Sequence, residues 1–432
     1  MAEKKPRIID ETRAAKIFSR LLDGERAIQL QSCVRCGLCA ESCHYYLTDR
    51  DVRSIPAYKV GLVQRFFQRY FRWNGRVLSR WMGGQSLNQA TFEEWVQGLF
   101  GRCSLCGRCS LNCPLGLKIH TLIRLGRSLL SEFDLVPPGL NSTLLTALKS
   151  DNNMGIKTEE WVETVRWLEE ELRADLADSS ASIPIDKVGA RVLYAINPRE
   201  AKFFPLSLLA AAKIFNAAGE SWTLTSTNYD VTNYGYFSGS DQLAATFFSR
   251  LEASMKRLGA KMLVLAECGH GYSSARWEAP WWREKSVDFE VKSVLELLVD
   301  YVKAGKIRLD PQRNPQVHTL HDPCNLVRLG GIVKEQRYLL RRACLVFVEM
   351  VPNREENFCC GGGGGQLAMT EFASLRVRVG KIKADQIRQT KAKVVVAPCH
   401  NCLDQLLELN RVYKLGVQLK TVSEVVADAL VL

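Results

Sequence analysis

The sequence predicts a composite chain, α+β overall: α-helical in its N-terminal part and α/β beyond it. Three observations carry this. Two cysteine motifs of the same spacing, "CVRCGLCAESC" and "CSLCGRCSLNC", sit among helix-patterned residues before position 130. After residue 189, β-rich runs alternate with helical ones. That second part also repeats itself, so the fold class is a helical domain followed by a pseudo-twofold pair of α/β repeats.

The length of 432 residues suits two or three domains, and 47% hydrophobic with 24% charged residues is the balance of a soluble globular protein. No run of about 18 apolar residues is present. The N-terminal "MAEKKPRIIDETRAAK" lacks the apolar core of a secretory signal, so no export is expected. In a reducing cytosol, fifteen cysteines argue against a disulfide framework and for metal ligation. The formal charge of +12 suits an acidic partner or an anionic membrane surface; no nucleic-acid fold signature accompanies it.

Cys33, Cys36, Cys39 and Cys43 form C-x2-C-x2-C-x3-C, and Cys103, Cys106, Cys109 and Cys113 repeat it. Three cysteines two residues apart wrap three corners of a cube, while the fourth faces away and ligates the other cluster. The expected wiring is Cys33, Cys36, Cys39 and Cys113 on one cubane [4Fe–4S] cluster, and Cys103, Cys106, Cys109 and Cys43 on a second. Structural zinc uses two separated pairs and fits poorly. His44 stands where proline usually follows the first motif.

The domain reading is residues 1–130 for the helical ferredoxin-like part, 131–188 for a helical linker, and 189–310 and 311–432 for the two repeats. About sixty residues separate the motifs, and the insert at about 55–100 contains "VGLVQRFFQRYFRWNGRVLSRWMGG". Arg65, Arg69, Arg72, Arg76 and Arg80 recur on one helical face, with Phe66, Phe67, Tyr70, Phe71, Trp73 and Trp81 filling much of the rest. Two readings stay open for residues 60–82: a helix for the membrane interface or for a groove on a membrane-embedded subunit, or aromatics packed on the core beneath solvated arginines. "DSSASIPIDKVG" reads as a boundary before the first repeat.

Within the doubled part, "ARVLYAINPRE" aligns with "PQVHTLHDPCN", "YFSGS" with "FCCGG", and "KMLVLAECGHG" with "KVVVAPCHNC". The second copy carries Cys324, Cys359, Cys360, Cys399 and Cys402; the first has Arg199, Phe237, Ser238, Cys268 and Gly271 at those places. Each landmark sits at an expected strand end, so the five cysteines should converge at one edge of the α/β core. Gly361, Gly362 and Gly363 give room and positive φ beneath adjacent cysteines, a cradle rather than a linker.

These landmarks, with "AECGHGYSSARW" in the first copy, resemble the CCG domain of heterodisulfide reductases. The whole chain is similar to that family's fused iron–sulfur subunit, and more closely to the DsrK, HmcF and TmcB subunits of membrane redox complexes in sulfate-reducing bacteria. The resemblance implies that the five cysteines hold a noncubane [4Fe–4S] cluster which makes and cleaves disulfides, fed one electron at a time through the two cubanes. It implies as partners a membrane-embedded cytochrome b-type, quinone-reactive subunit, multiheme cytochrome c subunits, and a DsrC-like thiol protein or other disulfide. It places the chain in the cytoplasm, peripheral on the inner face of the membrane. Only one repeat keeps a full ligand set, a departure from the two-cluster members.

His321, His400 and His270 lie beside ligand positions or their counterparts, where an imidazole could donate protons near neutral pH. Cys268 is either a reactive thiol or a buried relic, and Cys344 reads as core. Arg328, Lys334, Arg337, Arg341 and Arg342 could attract an acidic substrate tail. Two other functions stay open: the iron–sulfur subunit of a lactate-, glycolate- or glycerol-3-phosphate-oxidising complex fed by a flavoprotein, and a relay subunit without catalysis.

Overall fold

The computed structural model describes residues 10–72, 81, 84, 87–282 and 287–431. Two compact units are formed: residues 1–141, 235–241 and 363–379 in the first, and 142–234, 242–362 and 380–432 in the second.

The first unit is helical. Asp10 caps the helix Glu11–Leu21 by accepting from the Thr12 and Arg13 amides, and Asp23 caps Gly24–Ser32 through the Arg26 amide. The helix Pro56–Phe71 opens on proline, where the missing N–H costs nothing. It packs against Ile119–Ser131 so closely that a Cβ at Gly126 would meet Leu99 Cδ1 at 2.5 Å and Val63 Cγ2 at 2.8 Å. Phe66 stacks edge-on against Phe18 and Trp95.

This decides between the two readings of the insert as far as Phe71. Phe66 and Phe67 are buried, while Arg65 pairs with Glu94 and Arg69 with Glu11. Phe66 and Phe67 are core, not membrane surface, because the helix has neighbours to bury them against, while Tyr70 and Phe71 are half-buried. Trp73, Arg76 and Arg80 lie outside the described residues; Trp81 is 92% exposed. Among the described residues no helix is long and apolar enough to cross a membrane.

The second unit holds two four-stranded, wholly parallel sheets. β1 (Val192–Ala195), β2 (Trp222–Thr223), β3 (Met262–Leu265) and β4 (Glu290–Ser293) lie in the order β2-β1-β3-β4. β5 (Val317–Leu320), β6 (Val346–Glu349), β7 (Val394–Val396) and β8 (Gln418–Lys420) lie in the order β6-β5-β7-β8. The two orders are the same. β1 and β3 are buried at every residue, as parallel strands with both faces covered must be. Ala181 and Ile183, in the stretch that reads as a boundary, are buried in the same core, so that stretch is packed rather than loose.

Glu267, just after β3, ties the two sheets together. Its carboxylate accepts from the amides of Val422 and Ser423, the first turn of the helix Val422–Asp428, and its carbonyl accepts from His400 N. Burial pushes this carboxyl up to about 7, and holds the neighbouring Glu200 well above the carboxylate range. Between the unfolded value of 4.5 and about 7 the folded chain therefore keeps a proton that the unfolded chain gives up. Stability falls as pH rises through that window, by on the order of 3 kcal/mol for Glu267, and levels off above it. Glu267→Gln should lessen the decline, read as the slope of unfolding free energy from about pH 5 to 7.

Candidate functional site

The two motif loops share one backbone design. Arg35 and Gly37 in the first, and Leu105 and Gly107 in the second, all have positive φ. Alternating handedness turns successive amides inward, making a nest for negative charge. The Leu105 amide accordingly lies 3.4 Å from Cys103 Sγ. Cys33, Cys36, Cys39 and Cys113 line one cavity, with Val34, Ala57, Val60 and Leu115. Cys103, Cys106, Cys109 and Cys43 line another, with Lys59, Tyr45 and His44. The exchange of the fourth cysteine between motifs is thus present in the folded chain.

Interiors normally close such spaces. Here thiols face them, and burial raises Cys39 to about 11 and Cys43 and Cys109 above the ordinary thiol value. Thiols so placed ionise only against strong positive charge. His44 Nε2, buried at the second cavity, has no hydrogen-bond partner among the described residues. Thiol sets around unfilled space, with inward amides, fit iron–sulfur clusters.

The third cysteine group lies in the second unit, outside the carboxyl ends of β5 and β7. Strand order reverses there, and open parallel sheets carry their sites at such a point. His321 and Cys324 follow β5, Cys399 and Cys402 follow β7, and Cys359–Cys360 arrive on the loop beyond β6. All five cysteines are buried. Cys324 and Cys359 sulfurs are 3.9 Å apart, and ligand atoms of His321, Cys360 and Cys402 lie within 4.8 Å of one another. Neither ring nitrogen of His321 has a hydrogen-bond partner among the described residues, so a buried polar group is left for something the chain would hold. Hydrogen bonds from Cys359 and Cys402 hold Cys360 well below the thiol range, and one from Cys402 brings Cys399 down to about 7. Cys402 moves the opposite way, so the group titrates as a unit.

The glycines serve this group. Gly361, at φ 101°, donates its amide to Cys359 Sγ at 3.3 Å. A Cβ on Gly362 would lie 2.9 Å from Gln405 Cβ, and the Gly363 carbonyl accepts from Gln366 N. Gly239, the counterpart of Gly361, has φ 94°.

Against known proteins, residues 318–407 match the family model of the CCG cysteine-rich domain, and residues 29–117 match the 4Fe-4S dicluster domain. The chain is 29% identical to an Hdr-like menaquinol oxidoreductase iron-sulfur subunit of Archaeoglobus profundus, over 96% of this chain and 82% of that one. It is 25% identical to a subunit of the dihydromethanophenazine:CoB–CoM heterodisulfide reductase of Methanosarcina barkeri, over 97% of this chain and 98% of that one. It is 22% identical to an EtfAB:quinone oxidoreductase of Syntrophomonas wolfei, over 88% of this chain and 55% of that one. The chain carries matches to both domains and is similar to heterodisulfide reductase-like iron–sulfur subunits.

The three histidines whose positions suggest proton donors are all buried. Burial lowers His321, His270 and His400 to about 3, so each is a neutral imidazole at about pH 7. His400 Nε2 lies 2.8 Å from Ser207 Oγ, and His270 Nδ1 is 3.6 Å from Cys268 Sγ. Cys268 is buried, reached by Asn197 Nδ2 at 3.7 Å, and close enough to Cys399 that each raises the cost of charging the other. Cys344 is core.

The basic stretch after Cys324 is largely spent on structure. Arg337 is buried in a double fork on Asp322 and Glu349, Arg328 donates to the Glu355 and Asn357 carbonyls, and Arg342 stacks on Tyr338. Three buried cations escape a reading of the sequence. Lys383, on the helix Lys381–Thr390, donates to Asn357 Oδ1 at 2.6 Å beside the third group and is lowered to about 8 by burial. Lys59 and Arg127 stand at the second cavity.

Proposed function

We propose that this chain is the iron–sulfur subunit of a membrane-bound redox complex, exchanging electrons between a quinone- or cytochrome-bearing membrane module and a disulfide or thiol substrate. In this reading the two four-cysteine groups hold cubane [4Fe–4S] clusters, and Cys324, Cys359, Cys360, Cys399 and Cys402 hold a noncubane one. The observation that carries it is the convergence of those five buried cysteines at the β5/β7 ends, with a His321 ring that has no hydrogen-bond partner among the described residues. The printed names of the relatives, a menaquinol oxidoreductase subunit and a heterodisulfide reductase subunit, support the same direction.

When bound, these groups supply one-electron transfer and, at the third site, iron suited to soft sulfur ligands. The chain's own residues do the rest. The Gly361 amide bonds the Cys359 sulfur, and the Lys383 ammonium sets positive charge beside Cys359 and Cys360. His321 offers a neutral imidazole that donates one hydrogen bond. Burial of all five thiols excludes water from the sulfur chemistry.

The test is disulfide consumption by the anaerobically purified full chain with reduced viologen as donor. Each disulfide takes two electrons and two protons to give two thiols, so two donor equivalents should disappear per disulfide lost. Reduction of the cubane signals without disulfide loss would leave a relay subunit. The resemblance to an EtfAB:quinone oxidoreductase keeps a flavoprotein-fed complex as the second reading. Co-purification of a flavoprotein instead of a heme-bearing membrane subunit would select it.

A further inference from the structure

We propose that Lys59 and Arg127 are the built-in counter-charges of the second four-cysteine site and raise the reduction potential of the cluster held there. The inference rests on the reading that this site holds a [4Fe–4S] cluster.

Arg127, on the helix Ile119–Ser131, is 0% exposed. Its guanidinium donates to four backbone carbonyls: Leu99 at 2.9 Å, Phe237 at 2.8 Å, Gly364 at 2.9 Å and Cys103 at 2.6 Å. It also lies over the Phe100 ring at 4.5 Å. Lys59 is 1% exposed, donates to the Arg102 carbonyl, and places Nζ 4.0 Å from Cys43 Sγ. Neither pairs with a carboxylate among the described residues. Carbonyl dipoles satisfy the donors but leave two net positive charges in a dry interior, an arrangement that persists only if negative charge belongs beside it. Four cysteine thiolates on a cluster supply that charge at this place.

The two cations bracket the site. Lys59 faces Cys43, the ligand lent by the first motif, and Arg127 grips the Cys103 end. Gln366 adds a second donor to the Cys103 carbonyl at 3.2 Å. Among the described residues the first cavity has no such pair: its basic neighbours, Arg35 and Lys118, are exposed, and Lys118 is already paired with Glu25. Water screens them. Adding an electron makes the cluster more negative, so a fixed buried cation favours the reduced form.

The experiment is an anaerobic redox titration of the full chain followed by EPR, on wild type, Lys59→Met, Arg127→Met and Arg127→Lys. In each Met variant the reduction equilibrium of one cubane signal should fall about tenfold or more, a shift of about 59 mV for one electron. The other signal should stay in place. Arg127→Lys keeps the charge while losing most of the hydrogen bonds; it should sit nearer wild type, which a purely structural clamp would not do. If Arg127→Met fails to fold, Lys59→Met, nearly matched in length and volume, decides alone. The inference is overturned if the potential stays within about twofold in the equilibrium, or if both signals move together. A wild type lacking two cubane signals, or with fewer than about eight irons, overturns the underlying reading and the inference with it.

Discussion

Cys360→Ser should abolish disulfide turnover and the third-site EPR signal while leaving the cubane signals at full intensity. Cys360 sits at the centre of its group: its sulfur is hydrogen-bonded with both Cys359 and Cys402 and lies within 4.8 Å of a His321 ring nitrogen. Serine keeps the volume but offers a hard oxygen in place of a soft thiolate. The loss should exceed the roughly 100-fold that removal of an outer partner of a metal ligand costs. The cubane signals should persist because their eight cysteines belong to the other compact unit. Turnover within about threefold of wild type would remove Cys360 from the chemistry.

The largest stability effect is expected at Asp322. Its carboxylate, with the side chain 1% exposed, takes both Nη atoms of Arg337 at 2.8 Å and the Arg354 amide at 2.6 Å. Its carbonyl accepts from Asn357 Nδ2, and Asn357 Oδ1 accepts from Lys383. The loop residues that carry the third cysteine group are thus braced from beneath by one ionic layer. Burial alone would raise the Asp322 carboxyl, but hydrogen bonds and charge from Arg337 overcome it and hold the group below the carboxylate range. Its contribution is therefore complete above the unfolded value of 3.8, and is lost as pH falls through the lower folded value.

Asp322→Ala leaves a buried guanidinium with half its fork empty, which costs about 3–5 kcal/mol, and the melting temperature should drop by on the order of 10 °C. Replacing both partners with apolar residues, Asp322→Leu with Arg337→Met, should recover much of the loss, since a buried pair and an apolar pair of similar volume are often close in stability. Thermal unfolding of wild type, the single variant and the double variant checks this. A loss below about 1 kcal/mol in the single variant would show that the brace is not structural.

What could be read from the chain follows physical lines. The two four-cysteine sets were legible because such spacing is local: the x2, x2, x3 steps fix which sulfurs line each cavity. The two parallel sheets were legible because β1 and β5 are short strand-forming runs closed by Asn197–Pro198 and Asp322–Pro323, the same turn chemistry twice. The insert was not, because a helix with arginines on one face and aromatics on the other suits a bilayer or a neighbouring helix equally. Only the packing of Phe66 against Phe18 and Trp95 separates the two.

Lys59, Arg127 and Lys383 were invisible for a related reason. In sequence each is an ordinary helical basic residue, and nothing local marks the one turn that points inward. The burial of the histidines was hidden in the same way. Position beside a ligand is readable from sequence, but the burial that makes His321 neutral comes from segments far along the chain.

The central claim is that three metal centres, not two, occupy this chain and that the third lies among Cys324, Cys359, Cys360, Cys399 and Cys402. An iron count on anaerobically purified protein, with alkylation mapping of the same sample, tests it most directly. The account predicts about twelve irons per chain and all five of these thiols protected until the iron is removed. About eight irons, with Cys399 and Cys402 alkylated in the native protein while the motif cysteines stay protected, would contradict it.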